Sequence, residues 1–206
     1  GGYRRINGFS KYVNAVVPQT SSASEKVLMV ATFGDLVVAA RGEKIFSATA
    51  GGSSWTERDT GRTSAGTYAF ERYNFDGNDK LIVVDGANAP TFFNSAMSAT
   101  DVSNSDVAGA KFVTAFRSHM FYAGKSTTPQ TLIFSQPFDE DAFSSGSGAG
   151  SIKVDDVITG LKVFRDNLFI FCENRIFKLS GSSSSDFAIS AVTRDIGCIN
   201  GNTIQE

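Results

Sequence analysis

Histidine is almost missing from this sequence. Of 206 residues, one, His119, is a histidine. A His-rich metal centre is thereby excluded, and any His-dependent triad has a single candidate base. Cysteine is nearly as scarce: Cys172 and Cys198, both in apolar surroundings, read as small buried hydrophobes, with a disulfide between them as the alternative. No run of 18 apolar residues occurs, so no helical membrane span is encoded, and no stretch has the pattern of a secretory signal peptide. Charge is thin as well. Charged residues make up 19% of the chain and the net charge is −2, so the chain as a whole is not an electrostatic binder of nucleic acid. There is no Gly-x-Ser-x-Gly elbow and no glycine-rich phosphate loop. One Trp and five Tyr stand against 18 Phe. Phenylalanine has no polar atom to satisfy, so this balance points to packing between sheets more than to a binding surface.

What the sequence does have is short apolar runs between turn residues. The clearest case is Asp156–Gly181, with strands expected at Gly160–Phe164, Leu168–Cys172 and Arg175–Leu179. Arg165-Asp166-Asn167 and Glu173-Asn174 supply the polar breaks that close antiparallel hairpins. The middle run, Leu168 to Cys172, carries no polar residue, which implies cover on both faces: Phe169 and Phe171 on one, Leu168, Ile170 and Cys172 on the other. On that reading truncating Phe171 costs about 3–5 kcal/mol.

Three further copies precede it. The first is Val27–Phe33, Leu36–Ala40 and Lys44–Ser47, with Ser54–Arg58 as a fourth strand. The second is Tyr68–Phe75, Lys80–Val84 and Thr91–Asn94; the third is Lys111–Phe116, Met120–Ala123 and Leu132–Ser135. The middle strands start at Leu36, Leu81, Met120 and Leu168, at intervals of 45, 39 and 48 residues. β-Propeller blades recur every 40–50 residues or so. The expected fold is therefore all-β, a β-propeller of about four recognisable blades over residues 25–206, after an irregular opening segment over 1–24 with one short strand at Tyr12–Val17. Ser144–Ser151 and Ser180–Ser185 read as flexible loops, and Phe138–Phe143 as one short turn of helix.

Candidate chemistry is sparse. Gly52-Ser53-Ser54-Trp55 matches the end of the Asp-box of sialidase-type propellers, but Ala48 and Ala50 stand where the box needs Ser or Thr and Asp. A structural turn with Trp55 plugging between blades is the plainer reading. Asp139-Glu140-Asp141 and Asp155-Asp156 lack the spacing of a calcium loop and read as solvated charge. Tyr3-Arg4-Arg5 reads as an exposed end, with a phosphate or acidic partner as the alternative. No catalytic, cofactor-binding or metal-ligating set emerges.

Three phrases carry a resemblance: Gly2-Tyr3-Arg4-Arg5-Ile6-Asn7-Gly8-Phe9, Phe116–Gly124 followed by Leu132–Ser135, and Ile158–Phe171. Together they resemble the tail nozzle proteins of short-tailed bacteriophages, also called tail tubular protein B, stabilisation or hub proteins. The resemblance spans most of the chain. It implies a structural virion protein without catalytic residues or cofactors, assembled in the host cytoplasm into a ring, usually a hexamer, in the tail. Its implied partners are further copies of itself, the tail adaptor, tail fibres or spikes, and genomic DNA that passes through the ring and is retained until infection. The absence of Met at the start and the apolar run near the end agree with a piece of a longer protein. The alternative is a sialidase-like or carbohydrate-binding propeller. The enzyme form needs converging arginines from among Arg58, Arg62, Arg72, Arg117, Arg165, Arg175 and Arg194; the binding form needs an exposed aromatic platform such as Trp55 or Tyr73.

Overall fold

The computed structural model describes residues 11–13, 25–63 and 66–204. The phrase around Arg4-Arg5 and most of the opening segment, including 14–17 of the strand expected there, lie outside them. The chain divides into two compact units, Gly1–Gly61 and Arg62–Glu206. Among the described residues no helix is long and apolar enough to cross a membrane.

The first unit holds one antiparallel sheet, in the order β1 (Val27–Phe33), β2 (Leu36–Arg41), β3 (Lys44–Thr49), β4 (Thr56–Asp59). Alternation drives it: Met29, Ala31 and Phe33 are buried while Val30 between them is exposed. The second unit holds three such sheets. One is β5 (Ala69–Asn74), β6 (Asp79–Val84), β7 (Thr91–Phe93), β8 (Ala99–Asp101). The next is β9 (Phe112–Phe116), β10 (His119–Ala123), β11 (Thr131–Phe134), β12 (Gly150–Lys153). The last is β13 (Ile158–Phe164), β14 (Asn167–Cys172), β15 (Ile176–Ser180), β16 (Ala188–Thr193). Each sheet is a four-stranded meander in chain order, the form of a propeller blade.

The strands expected between Val27 and Leu179 are present, with ends shifted by a residue or two, whereas the apolar run Cys198–Ile204, read as the start of a further strand, forms a 3-10 turn at Gly201–Thr203. Each sheet also has a fourth strand, three of which the sequence did not announce. β12 begins inside the Ser/Gly-rich stretch 144–151, which is a 3-10 turn (Ser145–Ser147) and a strand start rather than a featureless loop. Residues 138–143 form no helix: Phe138 has a left-handed backbone (φ 64°), and the Asp139 carboxylate accepts the Asp141 N–H at 3.0 Å, a local turn.

The core of the second unit lies between its sheets. Ile82, Val84, Met120 and Tyr122 fill one layer; Phe121, Leu132, Phe134, Leu168, Ile170 and Leu179 fill the next. β10 lies between the two layers and all five of its residues are buried. The strand covered on both faces is thus β10, and the expectation for 168–172 needs correcting. Leu168, Ile170 and Cys172 are fully buried, but Phe169 and Phe171 are only half-buried, because within the second unit the last sheet packs one face alone.

Two-residue loops close several hairpins. Arg117-Ser118 joins β9 to β10 with both residues at positive φ (49° and 63°), the type I′ geometry that suits strand twist but favours Asn-Gly. Ser118→Gly should relieve that strain and stabilise the protein by about 0.5–1 kcal/mol. A thermal melt that moves down would contradict it.

Candidate functional site

The second unit gathers its polar side chains at three places. The first is a charge knot in the β5–β8 sheet. Asp85, at the end of β6, is shut from solvent, and its carboxylate accepts the N–H of Ala87 (2.9 Å), the N–H of Asn88 (2.7 Å) and the Asn88 amide (2.6 Å). The buried Arg62 guanidinium lies 3.7 Å from it, donates to the Ala89 carbonyl at 2.8 Å and reaches Asp101 at 3.3 Å. Asp101 in turn accepts from the Thr91 hydroxyl. These bonds pin the Asp85–Ala89 loop between β6 and β7.

The second place joins neighbouring sheets. Glu140 is buried and holds Lys80 of β6 at 2.7 Å; the Tyr122 hydroxyl donates to the Glu140 carbonyl at 2.8 Å. Burial, with Glu140 beside it, pushes the Tyr73 and Tyr122 hydroxyls above their ordinary range. Reading Asp139-Glu140-Asp141 as solvated charge therefore fails at its middle member, whose partner is 60 residues away in sequence. It holds at the flanks, where Asp141 caps Ser103. Asp155 and Asp156 stay at the surface, paired with Arg175 and with the Asn174 backbone.

The third place is a cavity of about 380 Å³ where the first strands of the three sheets, β5, β9 and β13, come together. Each is the terminal strand of its sheet, so one backbone edge of each is unpaired within that sheet. Glu71 of β5, Lys111 before β9 and Lys162 of β13 line the cavity, with Thr67, Thr114 and Asn202. Burial pushes the Glu71 carboxyl up to about 7, although the Ala115 backbone N–H and the nearby Lys162 ammonium pull it the other way. The turn Gly201–Thr203 closes one side. Gly201 sits so near the Thr159 carbonyl and Phe112 that a Cβ there finds no room. None of the cavity's charged residues stood out in sequence. Glu71 lies in Phe70-Glu71-Arg72, which has the pattern of a solvated strand, and only the convergence of three distant strands brings it together with the two lysines.

The arginines do not form one cluster. Arg58 donates to Ser47, Arg62 belongs to the Asp85 knot, Arg72 pairs with Asp79, Arg117 with Asp166 and Arg175 with Asp155. Arg165 lies over the Phe164 ring, and Arg194 shares a shallow surface dimple with Arg175. Tyr73 is buried and Trp55 half-buried, so neither is an open aromatic platform. Gly52 closes a turn on the Thr49 carbonyl, as the plain reading of the half Asp-box expects. His119 is buried among Phe121, Phe134 and Phe187 and its Nδ1 lies 2.6 Å from the Ser135 carbonyl. Both cysteines are free; burial, with Asp156 and Asp155 nearby, pushes the Cys172 thiol up to about 12. Among the described residues no group of three His, Cys, Asp or Glu is placed to hold a metal ion.

No protein-family model matches the chain, and no curated protein is similar to it. Solved structures are similar in fold. The extracellular domain of a one component system from B. thetaiotaomicron superimposes with a TM-score of 0.58 at 10% identity, over 83% of this chain and 22% of that one. The computationally designed Ika4 protein does so with 0.53 at 6% identity, over 89% of this chain and 97% of its own. YCF48 from Cyanidioschyzon merolae gives 0.53 at 12% identity, over 88% and 64%. The chain thus spans about a fifth of the first of these proteins. At such identities the likeness is one of fold, and together with the four meanders it makes this chain an all-β protein of β-propeller blades.

Proposed function

We propose that this chain is a structural protein of a short-tailed bacteriophage virion, a subunit of the tail nozzle ring below portal and adaptor. It works by surface contact and carries no catalytic activity. The observation that supports this best is where the resembling phrases fall. Phe116–Gly124 contains the β9–β10 hairpin and Ile158–Phe171 the β13–β14 hairpin, so the likeness lies in the framework of two successive blades. Two ion pairs of the second unit, Arg62–Asp85 and Lys80–Glu140, hold its interior together, which suits a scaffold. The polar loops at Asp139–Ser151 and Ser180–Asp186 are the parts we expect to reach neighbouring subunits. The second is preorganised: Asp186 accepts the N–H groups and hydroxyls of Ser182 and Ser183, and these bonds hold its carboxyl below the usual range.

Gold-labelled antibody against this chain should decorate the tail axis of purified virions. Virions without the label, from cells that express the protein, would overturn the reading. A ring that lets DNA slide should bind duplex DNA no tighter than ordinary non-specific contact, roughly 10⁻⁴ M at physiological salt. Tight, salt-sensitive binding would contradict a passive wall.

A second reading is a propeller that binds carbohydrate. Two observations favour it: the half-open polar cavity between β5, β9 and β13, and the likeness of fold to an extracellular domain. Its hydrolytic, sialidase-like form lacks the converging arginines. A glycan array separates the two readings, since a passive tail wall retains no sugar.

A further inference from the structure

We infer that the cavity between β5, β9 and β13 is a binding site for a small hydroxylated carboxylate of the sugar-acid type. The inference rests on the second reading above and names its ligand.

Size comes first. A space of about 380 Å³ lies within the range of pockets that enclose a small organic molecule. Charge comes next. Two lysines, Lys111 and Lys162, face the cavity against a single carboxyl, Glu71, so the lining favours a ligand carrying one negative charge. Among the described residues no carboxylate forms an ion pair with Lys111, and its stem lies along Gly86, which steers it rather than burying its charge in a pair. The remaining lining suits hydroxyls: Thr67, Thr114, the Asn202 amide and the backbone edges of three terminal strands, unpaired within their own sheets. One such edge is already in use, since the Ala115 N–H bonds the Glu71 carboxyl. Phe112 supplies an apolar wall against which the C–H face of a sugar ring can lie.

Glu71 then sets the pH response. The charged groups that share the cavity with it are Lys162 from β13, which acts on it directly, and Lys111 beside β9; Gly201–Thr203 contributes none. Below about 7 the Glu71 carboxyl is neutral and no longer repels an anion; above it, its negative charge opposes an incoming carboxylate. Affinity for the anion should therefore fall as pH rises through this range.

Titration calorimetry of the chain with D-glucuronate, D-glucose and inorganic phosphate tests the site. The expected result is glucuronate binding at least ten-fold tighter than glucose or phosphate. It should weaken at least ten-fold in Lys162→Met and in Lys111→Met, and be stronger at pH 6 than at pH 8. Glu71→Gln should bind about equally at both. Circular dichroism of each variant shows whether it is folded, and Lys125→Met, away from the cavity, serves as a control. Equal binding of glucose and glucuronate would leave a carbohydrate site and overturn the anion recognition. Equal binding of phosphate would mean an unspecific basic patch and overturn it too, as would no glucuronate binding at millimolar concentration. Failure of the broader carbohydrate reading is a separate result, a glycan array on which no sugar is retained.

Discussion

Asp85→Ala is expected to lower stability by about 3–5 kcal/mol, a large part of what holds a domain of this size together. The Asp85 side chain is wholly out of solvent and that of Arg62 nearly so. Deleting the carboxylate leaves the guanidinium with the Ala89 carbonyl and the more exposed Asp101, and removes the acceptor of the Ala87 and Asn88 N–H groups. Two loop donors then lose their acceptor, and a buried guanidinium that loses its buried counter-charge costs more than the bond itself contributes. The exposed pair Arg72–Asp79 provides the contrast: both side chains are about half exposed, and Arg72→Ala should cost less than about 1 kcal/mol. Urea melts of the two variants decide the matter, with the m-value showing whether unfolding stays two-state. Equal losses in the two would mean that the knot does not hold the β5–β8 sheet.

The sequence was most legible where burial is deepest. Met120–Ala123 is apolar throughout because sheets cover it on both sides, Leu81–Val84 is fully buried too, and such runs between turn residues leave few alternatives to a central strand. Outer strands carry no such mark. Ala99-Thr100-Asp101 is exposed at every residue, and β12 starts with Gly150-Ser151, so neither composition nor alternation betrays them. Charges that matter were hidden for a different reason. Lys80 and Glu140 meet across 60 residues, and Glu71 meets Lys162 only because β5 and β13 both flank β9. Pairings of that kind depend on how sheets converge, which no local pattern records. Asp85 did leave a trace, since Asp followed by Gly-Ala-Asn is the signature of a side chain that caps its own loop. What that trace lacked was Arg62, from the segment before β5, which turns a cap into a buried ion pair.

Ile170→Ala and Phe171→Ala, neighbours on β14, should differ in cost although the larger side chain is the phenylalanine. Ile170 is fully buried between the last two sheets beside Leu132 and Leu179, and its truncation leaves a cavity among side chains with little room to move: about 2–5 kcal/mol. Phe171 points to the other face. Its cross-strand neighbours are Gly160, which offers no side chain, and Ile176, itself half-buried. Nearby, Phe169 lies between Lys162 and Lys178 and meets the exposed Phe164 edge-on at 6.3 Å. A ring that remains partly in water gains only part of its transfer free energy, so Phe171→Ala should cost about 1–2 kcal/mol. Chemical denaturation of the isolated chain at low concentration measures both. A loss for Phe171→Ala as large as that for Ile170→Ala would mean that this face is covered in solution. Repeating the melt over a hundred-fold range of protein concentration would then tell whether the cover is another copy, since only an intermolecular contact makes the midpoint depend on concentration.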